Sequence, residues 1–170
     1  MGNDILIPEI NRLIQGGHMV EFMPRGVSMR PFIEGGRDKV TLKICHKPKV
    51  GIIVLARTNG TYVLHRIYKI KGEQIILRGD GNLKGQEVCT FEDIIGCVVC
   101  LKGRSGKRKR LTKARIWRHL PTCIKWFVLK LYNKIIKLQN IFYEDQKRIS
   151  PARTRWRLHT DWRERRAREL

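Results

Sequence analysis

Residues 51–78 read GIIVLARTNGTYVLHRIYKIKGEQIILR, three short runs rich in Val, Ile, Leu and Tyr that are parted by Asn59-Gly60 and by Lys71-Gly72-Glu73. Asn-Gly is the strongest short hairpin signal, because both central residues of a type I′ turn need positive φ. The spacing predicts a three-stranded meander with His65 on its middle strand. Similar runs flank it: MVEFM from Met19, KVTLKI from Lys39 and DIIGCVVCLK from Asp93. Six strands so close together leave no room for crossover helices, so a mainly β fold is expected, a small folded antiparallel sheet or barrel.

Ahead of these strands, residues 8–15, PEINRLIQ, have Pro at a helix-starting position, then apolar Ile10, Leu13 and Ile14 on one face, then Gly16-Gly17 as a stop. A short leading helix is expected within residues 1–18. Asp4, Glu9 and Arg12 interrupt any apolar stretch there, so no signal peptide is expected. No segment has the ~20 apolar residues that span a bilayer.

Charge divides the chain. Residues 1–102 carry 15 Lys and Arg against 10 Asp and Glu, net +5, whereas residues 103–170 carry 21 against 5, net +16, which together give the net +21. The expected organisation is a helix at 1–18, a β domain at 19–102, a basic Gly/Ser linker at 103–113, an amphipathic basic helix at 114–143 broken near Pro121, and a charged tail at 144–170, disordered or a solvated helix.

Three segments carry candidate chemistry. In Gly26-Val27-Ser28-Met29-Arg30-Pro31, Gly26 permits a turn, Pro31 stiffens the chain after it and Met29 can anchor the loop. A serine nucleophile needs such a turn, with free backbone N–H groups beside it for an oxyanion. Val63-Leu64-His65-Arg66-Ile67 supplies a histidine, the side chain best suited to take a serine proton near neutral pH. Arg66 cannot serve as that base, because a guanidinium stays protonated. Leu77-Arg78-Gly79-Asp80-Gly81-Asn82 offers a carboxylate that could orient the imidazole. Each segment alone also fits an ordinary turn or strand; their order is what speaks for a site.

Taken together, the segments resemble the type I signal peptidases over residues 19–100, about half of the chain. GVSMRP is similar to the nucleophile box, KVGIIVLAR to the strand that follows it, YVLHRI to the general-base box, RGDGN to the Gly-Asp-Asn box and DIIGCVV to the closing strand. The resemblance is to the branch that uses histidine rather than lysine as base. It implies a serine endopeptidase acting on exported or leader-bearing peptides, with Ser28 as nucleophile, His65 as base and Asp80 as acid. In the endoplasmic-reticulum branch the usual acid lies about six residues beyond the Gly-Asp box, where this chain has Gln86, so Glu87 and Asp93 stand as alternatives to Asp80. No cofactor or metal is implied. Two other readings are a LexA-like regulatory or self-cleaving domain and an inactive membrane-associated adaptor.

Partners follow from the same features. A peptide or preprotein substrate is expected, and residues 114–143, with Trp117, Trp126 and several lysines, suit peripheral contact with an anionic membrane; a cytoplasmic location is the alternative. Nucleic acid is not expected as a partner, because nothing before residue 19 is long enough for a helix-turn-helix. Cys45, Cys89, Cys97, Cys100 and Cys123 are odd in number and mostly in apolar surroundings. They predict small buried thiols rather than a disulfide framework or a metal site.

Overall fold

A computed structural model of the chain describes residues 3–109 and 114–149. Along the chain lie α1 (Asn3–Gln15), β1 (Val20–Phe22), β2 (Lys39–Lys43), β3 (Ile53–Thr58), β4 (Thr61–Lys71), β5 (Gln74–Arg78), β6 (Glu87–Cys89), β7 (Ile94–Lys102), α2 (Ala114–His119) and α3 (Thr122–Ile149). The fold is mainly β: the strands form one curled antiparallel sheet in the order β1-β2-β7-β3-β4-β5-β6. A unit extending to Leu129 contains the sheet, and the rest of α3, residues 130–149, belongs to a second unit.

The β3-β4 turn has the predicted geometry, with φ of 47° at Asn59 and 74° at Gly60, and it sets the register Thr58↔Thr61. Alternation along β3 sends Ile53 and Leu55 into one apolar cluster and Val54 and Ala56 into another. Both sides of this strand are therefore covered, and it reads as a nearly continuous buried run. The first cluster also takes Ile7, Ile10 and Ile14 from one stripe of α1. Gly96 on β7 makes that packing possible, since a Cβ there would lie 2.9 Å from the Lys43 carbonyl oxygen and 3.0 Å from Ile14 Cδ1.

Several expectations are corrected. Helix α1 begins at Asn3 instead of near residue 8 and carries Pro8 inside it, which leaves the carbonyl one turn earlier without its N–H partner. The sheet has a seventh strand, β6, too short to announce itself by alternation. The first part of the basic linker folds back as a tight hairpin: Gly103 N–H donates to Lys107 O at 3.0 Å and Lys109 N–H to Leu101 O at 2.8 Å. Residues 110–113 lie outside the described residues.

Cys45 and Cys97 form a disulfide with a Cα–Cα distance of 5.2 Å, so the expectation of unpaired buried thiols fails for both. The reason is register: Lys43 pairs with Cys97, so the chain leaving β2 runs beside β7. Helices α2 and α3 are separated at Leu120-Pro121, and α3 continues past residue 143 to Ile149, into the stretch expected to be disordered or a solvated helix. The rest of that stretch, 150–170, lies outside the described residues.

Candidate active site

Ser28 sits in an irregular loop between β1 and β2, where Gly26 has φ of 91° and the Arg30-Pro31 peptide is cis. Met29 is buried in the first apolar cluster and pins the loop. Within this loop, the Gly36 N–H donates to Pro24 O at 2.8 Å. Close approach at Gly35 is also required, because a Cβ there would lie 2.1 Å from the Gly26 carbonyl oxygen.

His65 lies on β4, paired across to Val54 of β3, with only 4% of its surface exposed. Its Nε2 is 3.0 Å from Ser28 Oγ, and its Nδ1 is 2.8 Å from Glu87 Oε2. A carboxylate next to Nδ1 holds the proton there, which leaves Nε2 as the acceptor facing the hydroxyl. The structure thus lines up hydroxyl, imidazole and carboxylate.

The carboxylate in this line is Glu87, and Asp80 is elsewhere. Asp80 accepts two hydrogen bonds from Arg66, Nε to Oδ1 at 2.9 Å and Nη2 to Oδ2 at 2.7 Å. That bidentate pair is buried, with side-chain exposures of 8% and 6%. Arg66 also donates to the Gly51 carbonyl at 2.7 Å and lies over the Phe32 ring. Asp93 is committed to the N–H and hydroxyl of Thr90, both at 2.9 Å, which hold its carboxyl below the usual range. Of the three acids the sequence offered, only Glu87 meets the imidazole.

Glu87 arrives there through β6. This strand pairs with β5 in the register Leu77↔Glu87, and β5 pairs with β4 in the register Ile67↔Leu77. Position 87 is thereby brought across two strands from the His65 neighbourhood, a lateral relationship with no signature in a stretch of three residues.

The Gly79-Asp80-Gly81 turn backs the serine loop. Gly81 N–H donates to the Ser28 carbonyl at 2.7 Å. A Cβ on Gly79 would come 2.5 Å from that same oxygen and 3.0 Å from His65 Nε2. The Asp80 carbonyl accepts a 2.9 Å hydrogen bond from the indole of Trp117, whose ring meets Phe32 edge to face at 5.8 Å. Trp117, which the sequence suggested for a membrane interface, is buried in this support.

A cleft lined by Pro24, Gly26, Ser28, Tyr62, Leu64 and His65 opens onto the site. The Ser28 N–H has no protein acceptor among the described residues, so it is free to face a developing negative charge. Among the described residues no three His, Cys, Asp or Glu side chains converge as a metal-ligand set.

No protein-family model matches the chain. A search of curated proteins also returns no relative. The functional reading therefore rests on the residues and their geometry.

Proposed function

We propose that this chain is a serine endopeptidase of the signal-peptidase type, in which Ser28, His65 and Glu87 act as nucleophile, general base and orienting acid. The observation that carries the reading is the single imidazole bridging Ser28 Oγ at 3.0 Å and Glu87 Oε2 at 2.8 Å. Ser28 Oγ attacks the scissile carbonyl carbon while His65 Nε2 takes its proton. The imidazolium, held by Glu87, then gives that proton to the leaving amine, and the acyl group stays on Ser28 as an ester. Water, deprotonated by the same nitrogen, hydrolyses the ester and regenerates the serine. The Ser28 N–H donates to the oxyanion.

The substrate class, exported or leader-bearing peptides, follows from the resemblance of GVSMRP, YVLHRI and RGDGN to the family boxes. Peripheral attachment to an anionic membrane is part of the same reading. Among the described residues no helix is long and apolar enough to cross a bilayer, while α3 carries Lys125, Lys130, Lys134 and Lys137 and no acid before Glu144. The test is cleavage of a leader-peptide library by wild type and by Ser28→Ala. Loss of the nucleophile should lower kcat by about 10³-fold or more; equal cleavage by the two proteins would sink the assignment.

A further inference from the structure

A second hollow lies behind the Gly79-Asp80-Gly81 turn, away from Ser28, between the end of β5 and the start of α3. Besides Arg66, which is paired with Asp80, three cations line it: Arg78, Arg118 and Lys125. Arg78 donates to the carbonyls of Asn82 and Leu83, and Lys125 donates to the Arg118 carbonyl at 3.2 Å. Those acceptors are neutral. The one carboxylate at the hollow, Asp80, is already taken by both arms of the Arg66 fork. None of the three cations forms an ion pair with a carboxylate among the described residues.

Such a cluster is self-repelling. The Lys125 ammonium is pushed below the ordinary lysine range, first by partial burial and then by repulsion from Arg78, with only a weaker opposing pull from Asp80. An anion seated in the hollow would neutralise the repulsion. Guanidinium forks and an ammonium together suit an oxyanion with several acceptor oxygens, which is the geometry of a phosphate.

The surroundings suggest where the phosphate comes from. Tyr68 and Trp117 form aromatic walls of the hollow. Immediately beside Lys125 on α3, Ile124, Trp126 and Phe127 are 44%, 54% and 63% exposed. Exposed aromatic and aliphatic side chains next to a cationic pocket match the layering of a bilayer surface, with hydrocarbon contact adjoining headgroup contact.

We infer that Arg78, Arg118 and Lys125 form an anion site for the phosphate of a lipid headgroup, seated where α3 joins the β domain. The site is distinct from the Ser28 cleft and does not depend on the chain being a peptidase. It would make membrane contact selective for headgroups whose phosphate is not balanced by an attached cation, beyond a general attraction of basic residues to negative surfaces.

The experiment uses the full chain, its Arg118→Gln/Lys125→Gln variant and a control, Lys134→Gln/Lys137→Gln, that removes the same charge elsewhere on α3. At matched ionic strength, inorganic phosphate near ~10 mM should raise the Tm of wild type and control by about 3 °C over chloride, and leave the Arg118/Lys125 variant unmoved. Sedimentation with phosphatidylglycerol-containing vesicles should weaken about tenfold for that variant and clearly less for the control. Phosphatidylcholine vesicles containing no anionic lipid supply the baseline. No phosphate-specific Tm shift in wild type would overturn the site. If phosphate stabilises wild type selectively but both variants bind vesicles equally, the lipid source is overturned and the ligand is a soluble phosphate.

Discussion

Arg66 holds Asp80 through two hydrogen bonds of 2.9 and 2.7 Å, and its neighbour His65 turns to the other face of β4 and meets Glu87 at 2.8 Å. Strand alternation sends adjacent side chains to opposite faces, so two carboxylates near one strand receive different tasks. Asp80 neutralises a buried cation, and Glu87 faces the imidazole.

The two acids should therefore fail differently. Asp80→Asn strips a buried guanidinium of its counter-charge, and unfolding by urea should show a loss of about 3–5 kcal/mol. Glu87 is about a quarter exposed, and Glu87→Gln should cost under about 1 kcal/mol while lowering kcat by about 10²–10⁴-fold. The reverse pattern would return the catalytic role to Asp80.

Gly79 tests how the turn supports the serine loop. An added methyl would press on the Ser28 carbonyl from 2.5 Å, and that oxygen is also fixed by the Gly81 N–H at 2.7 Å. Gly79→Ala should cost about 1–3 kcal/mol and, by displacing Ser28 from His65, about 10²-fold in kcat/KM. Gly85→Ala is the matched control, since its nearest contact would be Asn82 Nδ2 at 3.8 Å. Stability from urea unfolding and kcat/KM, measured on both variants, decide the point.

Asp38 supplies an acid-sensitive lock at the end of the loop that carries Ser28. Burial pushes its carboxyl up, but hydrogen bonds from Arg37, Lys109 and the Glu34 N–H outweigh that and hold it below the usual carboxylate range. A depressed folded-state pKa contributes stability that is present above the unfolded value, about 4, and is lost as pH falls through the folded value. The fall in stability below pH ~4 should be shallower in Asp38→Asn, which itself should be about 2 kcal/mol less stable at pH 7. Urea midpoints measured from pH 7 to pH 2 on both proteins would expose an identical acid slope, the outcome against the idea.

Local chemistry in the chain is sufficient for much of this protein. Asn59-Gly60 dictates the β3-β4 hairpin because its two φ angles are positive. Alternating apolar runs give the long strands, and the order of the segments around Ser28 and His65, rather than either segment alone, marks the two residues as candidates. The lysine-rich amphipathic stretch gives α3. These features depend on backbone preferences and side-chain periods within a few residues.

Lateral neighbours are a different matter, because periodicity tells which face a side chain takes and not which strand lies beside it. Glu87 reaches His65 only through the pairing of three-residue β6 with β5. Asp80, with the more suggestive local motif, is drawn to Arg66 instead. The Cys45–Cys97 disulfide likewise needs the β2-β7 register, and the hairpin at 103–109 needs β7 to fold against. Tertiary structure decided these points, since the distance between groups far apart in sequence is set by how the whole sheet closes.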